Sequence, residues 1–135
     1  MAKSIEALEG VGPVYGKKLR DIGCHSPNKL LRDGATRKGR KMIAERSGLS
    51  DSLVLRCVNM ADLFRIKGVA THYAELLEAA GVDTVKELRN RNASNLTLAM
   101  QEANAEKRLV RKVPSEKMVS NWVQQAKSLP PVVTY

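Results

Sequence analysis

The stretch Ile5-Glu6-Ala7-Leu8-Glu9-Gly10-Val11-Gly12-Pro13-Val14-Tyr15-Gly16-Lys17-Lys18-Leu19 decides the fold. A hydrophobic residue sits between two glycines, and apolar residues lie at helical spacing on both sides. Gly10 can take a positive φ and end a first helix. Val11 can point down between two helices, and Gly12 lets the backbone approach another surface closely. Pro13 suits the first turn of a second helix, where no N–H is needed. Gly16, one turn on, lets the two helices cross at short range. The expectation is two helices joined by a very short turn, with free N–H groups at a helix N-terminus. That geometry favours an anion. Lys17 and Lys18 follow within a turn and add charge-assisted contacts to a phosphate.

The same pattern returns 58 residues on. Leu8 falls on Ile66, Gly10 on Gly68, Val11 on Val69, Gly12 on Ala70, Gly16 on Ala74 and Leu19 on Leu77. Further along, Gly23 meets Gly81, Cys24 meets Val82, Ser26 meets Thr84 and Leu30 meets Leu88. The match resumes with the offset grown to 65, placing Ser50, Leu53, Val54, Cys57, Val58 and Ala61 over Ser115, Met118, Val119, Trp122, Val123 and Ala126. The second copy therefore carries a longer connection, placed around Asn104 to Pro114. A repeat of this length reads as one supersecondary unit used twice.

Apolar spacing of three and four predicts helices near 4–9, 13–22, 26–33, 36–47, 51–66, 71–80, 84–91, 94–104 and 115–128. Ser50, Thr71, Thr84, Ser94 and Ser115 stand where N-caps belong. Gly23, Gly48 and Gly81 suit helix ends. No stretch alternates long enough for a strand. The predicted fold is all-α: two tandem repeats, each followed by two further helical segments, packed as one compact unit. Their bounds are 1–58 and 59–128, with an extended tail over 129–135, Leu-Pro-Pro-Val-Val-Thr-Tyr.

Charge narrows the partner. The chain has 135 residues, 23 Lys+Arg and 14 Asp+Glu, hence +9. Twelve basic and six acidic side chains fall in residues 1–58. The tightest cluster is Arg37-Lys38-Gly39-Arg40-Lys41, and a second joins Lys107-Arg108 to Arg111-Lys112. Such clusters are solvated helix faces or the footprint of an acidic partner, nucleic acid being the commonest. No apolar run reaches the roughly 18 residues of a membrane span, and the first residues lack the apolar stretch of a signal peptide. Two widely spaced cysteines exclude a disulfide scaffold and a CxxC zinc site. The expected setting is cytoplasmic and reduced.

Leu8, Gly10, Val11, Gly12, Gly16 and Leu19, and again Ile66, Gly68, Val69, Ala70, Ala74 and Leu77, resemble the helix-hairpin-helix superfamily. The wider pattern of hairpin, basic linker and closing Trp helix looks like an uncharacterised prokaryotic family of paired hairpin proteins, a domain of unknown function. The superfamily resemblance implies sequence-independent contact with DNA phosphates through turn N–H groups, and turn carbonyls that sometimes hold a monovalent cation. The implied contacts are Gly10, Val11, Gly12 and Lys17, with Lys18 beside them, and more weakly Gly68, Val69 and Ala70. Ala70 in place of Gly12, and Glu75 and Leu76 in place of Lys17 and Lys18, weaken the second set. Arg37, Lys38, Arg40 and Lys41 extend the first.

Other residues attract a chemical reading that the repeat disfavours. Cys24, His25, Cys57 and His72 include zinc-ligand types, yet Cys24 is equivalent to Val82 and Cys57 to Trp122, so both read as buried apolar residues. No third group orients a Cys–His pair for nucleophilic work. Tyr15 and Tyr73 either stack on bases or half-bury against a neighbouring helix. Trp122 reads as core. With no DxD pair, nucleotide-binding glycine loop or HExxH motif, the chain is expected to be no enzyme and to need no cofactor. The expected function is a sequence-independent module for duplex DNA. The alternative is a helical protein-interaction or scaffold module.

Overall fold

Ser26, Thr36, Thr84, Asn92 and Ser115 each accept a hydrogen bond from the backbone N–H three residues on, at 3.0–3.2 Å. Each closes a donor that the first helical turn leaves open, an arrangement worth roughly 1 kcal/mol. The helices they start are seen in a computed structural model that describes Ile5, Leu8 and residues 12–135. Among these residues there are eight α-helices and no strand. They gather into two compact units, Met1–Asp62 with Val132–Tyr135, and Leu63–Pro131.

The first unit holds α1 (Gly12–Asp21), α2 (Pro27–Asp33) and α3 (Arg37–Ser47), and α4 (Asp51–Leu63) carries the chain to its boundary. α3 packs on both α1 and α2. The approach is close at Gly39, where a Cβ would collide with the Asp33 carbonyl oxygen, so only glycine fits. Leu19, Leu30, Ile43, Val54 and Val58 are buried, and Ile5 and Leu8 are 0% and 2% exposed. The helix expected over 4–9 lies outside the described residues apart from those two.

The second unit holds α5 (Thr71–Ala79), α6 (Val85–Leu88), α7 (Ala93–Lys107) and α8 (Glu116–Ser128). α8 packs on α6 and α7, and α7 on α5. Leu77, Leu88, Leu96, Met100, Val119 and Trp122 are buried together in this unit.

Backbone hydrogen bonds recur 58 residues apart. Cys24 N–H donates to Leu19 O at 2.9 Å and Val82 N–H to Leu77 O at 2.8 Å. Gly23 N–H donates to Arg20 O, and Gly81 N–H to Glu78 O. Leu30 N–H reaches Ser26 O, and Leu88 N–H reaches Thr84 O. Of the apolar residues paired by the longer offset, Val54 with Val119, Cys57 with Trp122, Val58 with Val123 and Ala61 with Ala126 are buried in both places, whereas Leu53 is half-buried and Met118 exposed.

Boundaries depart from expectation where local signals compete. α4 stops at Leu63 instead of continuing to 66, and tight turns from Ile66 N–H to Leu63 O and from Val69 N–H to Ile66 O follow it. α6 is a single turn that loosens after Leu88. α7 runs to Lys107, past the expected 104, and ends where Arg108 turns left-handed at φ 51. The Asn104 side chain then pins the connection, accepting from Val110 N–H at 2.9 Å and donating to Val110 O at 3.0 Å. Ser50 does accept from Leu53 N–H at 3.1 Å. Thr71 and Ser94, expected as caps, lie inside their helices instead. Ala70 precedes α5 without a side-chain bond, and Asn92 caps α7.

Candidate functional site

The start of α1 is the first candidate. Gly12 is exposed with φ +64, a backbone state that disfavours any other residue. Pro13 follows, and the first turn itself holds no acidic residue, so no carboxylate of that turn competes for the positive end of the helix dipole. Gly10 and Val11 lie outside the described residues. Lys17 and Lys18 are exposed. Lys17 pairs with Asp21 at 3.1 Å, both side chains being more than half exposed (73% and 60%). A pair so wetted is weak, and a phosphate can displace the carboxylate.

α3 supplies the second group of cations. Thr36 caps it, and Arg37, Lys38 and Lys41 are exposed. Arg40, placed with them by sequence, is not presented in the same way. It is 6% exposed and donates to three carbonyls: Gly34 at 3.0 Å, Ala35 at 3.1 Å and Thr134 at 2.7 Å. Its guanidinium also lies 5.6 Å from the centre of the Tyr135 ring. Arg40 therefore fastens the C-terminal tail to the first unit. The signal was hidden because one of its partners stands 94 positions away.

In the second unit the corresponding turn is fully described. Gly68 is exposed at φ +97, and a Cβ there would stand 3.0 Å from Trp122 Nε1. Val69 is buried at 2%. α8 clamps the turn through Gln125, which accepts from Lys67 N–H at 2.8 Å and donates to Lys67 O at 3.1 Å. Ala70 is exposed, with φ −111. It opens a cleft of about 490 Å3 lined also by His72, Tyr73, Val110, Arg111 and Lys112. The second basic cluster is thus partly carried to the start of α5, because Tyr73 donates its hydroxyl to Lys112 O at 3.2 Å and packs on Trp122 at 5.3 Å between centroids. His72 and Tyr73 gain this setting only through a loop almost forty residues distant, for which the local pattern holds no signal.

The cysteines are buried in the first unit. Burial pushes the Cys57 thiol up to about 11. Burial, and then the nearby Asp33 carboxylate, raise Cys24 as well. Neither thiol is poised as a nucleophile, since the thiolate is the reactive form. Among the described residues no group of three or more His, Cys, Asp or Glu gathers as a metal site. Tyr15 is 39% exposed and Trp122 is core at 2%. Among the described residues no helix is long and apolar enough to cross a membrane.

Comparison with curated proteins and with solved structures finds no match. A protein-family model described as a domain of unknown function (DUF4332) matches residues 9–129. That span takes in the eight helices of the described residues but leaves most of the tail outside, and on it the chain belongs to the DUF4332 family, a domain of unknown function.

Proposed function

We propose that this protein is a non-enzymatic, sequence-independent DNA-binding module that holds duplex phosphates at the start of α1 and along the exposed cations of α3. One observation carries the reading. An exposed helix start without acidic residues, with Gly12 at φ +64 and two exposed lysines in the next turn, belongs to a helix that packs on the basic α3. Backbone N–H groups and long cationic side chains neutralise phosphate without reading base edges.

The two halves are read as tandem helix-hairpin-helix repeats. The hydrogen bonds and buried positions that recur at the two offsets support this. On the same reading the first hairpin is the stronger contact, and Gly68, Val69 and Ala70 form a weaker one. Arg111 and Lys112 line the same cleft as Ala70 and add positive charge beside that turn.

Fluorescence anisotropy with a labelled blunt duplex tests the proposal. Binding is expected at micromolar concentration, equal for unrelated sequences, and weaker as salt rises. No binding to duplex at low salt overturns it and leaves the interaction-module alternative in front.

A further inference from the structure

Tyr135 is an aromatic ring held in the open. The tail beside it is fixed: Val133 is buried, and Thr134 N–H donates to Ala35 O at 2.8 Å. The Tyr135 hydroxyl donates to Asn59 Oδ1 at 3.2 Å, and the buried Arg40 guanidinium stands over the ring. Yet Tyr135 keeps 69% of its surface accessible.

Tyr135 lines a cleft of about 320 Å3, with Arg37, Lys41, Leu55 and Asp51 among the others. That size lies at the low end of the roughly 300–1,000 Å3 typical of small-molecule sites. A flat apolar face beside cations matches the two halves of a nucleotide. Bases stack on aromatic side chains whatever their sequence, and phosphate takes charge-assisted bonds from Arg and Lys. The Asp51 carboxylate repels phosphate, but a carboxylate can accept a hydrogen bond from the amino edge of a base.

We propose that this cleft binds one unpaired nucleotide unit, with the base stacked on Tyr135 and the phosphate at Arg37 and Lys41. The inference rests on the DNA-binding reading in sharing those two cations, and adds to it a preference for ends, gaps or single strands that a fully paired duplex does not satisfy.

The test compares, on the full chain, a short labelled oligodeoxycytidylate with an abasic strand of equal length, which keeps the phosphates and lacks the bases. The expected result is about tenfold tighter binding of the oligodeoxycytidylate, ~1.4 kcal/mol. Tyr135→Leu should reduce that ratio below about twofold, with helicity and blunt-duplex affinity unchanged, and Tyr135→Phe should retain it, since stacking needs only the ring. An NMR titration with deoxycytidine monophosphate and deoxyribose 5-phosphate separates the sources. Tyr135-dependent binding of the free nucleotide assigns the site to mononucleotides as well, and a response to the strand alone assigns it to nucleic acid. Equal binding of the two strands, binding of neither, or a ratio that survives Tyr135→Leu overturns the inference. Loss of blunt-duplex binding with the ratio intact overturns the duplex reading alone.

Discussion

Gly39 and Gly12 exclude side chains for different reasons, and the difference can be measured. At Gly39 the obstacle is the Asp33 carbonyl, a backbone group that cannot swing away. Gly39→Ala should therefore destabilise the chain by about 1–3 kcal/mol through overpacking, read as a lower urea midpoint. At Gly12, apart from its chain neighbours and the helix's own backbone, nothing among the described residues lies within 4 Å of an added Cβ, but φ is +64. Gly12→Val should strain the backbone by ~1–3 kcal/mol and weaken duplex binding several-fold in protein that circular dichroism shows to be folded. Ala70 has φ −111, open to any residue, so Ala70→Val should change binding less than about twofold, the loss expected of the weaker hairpin. Equal losses from the two variants would show both turns on the duplex. Cys57 gives a pH signature. Its thiol is raised from 9.0 to about 11 by burial, so the folded chain keeps a proton that the unfolded chain releases. Stability from this group is complete below about pH 9 and is lost as pH rises towards about 11. Urea midpoints at pH 8 and pH 10 should differ less in Cys57→Ala than in the wild type.

α3 has two separable tasks on one helix. Arg37, Lys38 and Lys41 face solvent, whereas Arg40 is buried among carbonyls. Reversing the three exposed charges while leaving Arg40 should weaken duplex binding and flatten its salt dependence, because each phosphate contact contributes to that slope. Stability should hardly move. Arg40→Met should do the opposite in stability terms, removing the guanidinium from three carbonyls, of which Ala35 O keeps the Thr134 N–H. Hydrogen bonds to a charged group contribute about 1.5–3 kcal/mol, and the Thr134 amide, now bonded to Ala35, should exchange faster with solvent. Arg40→Lys should rescue only in part, since an ammonium does not reproduce the planar fork. A change in Thr134 exchange from the triple charge reversal would contradict this division of labour.

For the whole molecule the relevant quantity is a net charge of +9. The α1 start and the α3 cations should neutralise ~3–5 phosphates, giving a slope of log K against log salt of about −3 to −4. A slope near zero, measured by anisotropy across several salt concentrations, would remove the electrostatic basis of the functional reading.

Much of this architecture was legible before any coordinates. Apolar spacing found the helices because burial of a stripe is a local, periodic demand, and Thr84 and Ser115 marked starts because capping acts within three residues. The buried states of Cys24 and Cys57 followed from their alignment with Val82 and Trp122. What stayed hidden depends on partners far along the chain. Arg40 looked like its neighbours until the tail supplied Thr134 and Tyr135, and Arg111 and Lys112 had no location until Tyr73 and Trp122 positioned their loop. Sequence by itself determined the helical class, most helix positions and the basic character, since each is set by neighbours within a few turns. Only the tertiary structure decided which cations face solvent, which are consumed as internal clamps, and that Tyr135 stands ordered beside Arg37 and Lys41, because desolvation and hydrogen-bond geometry depend on groups that the chain brings together only on folding.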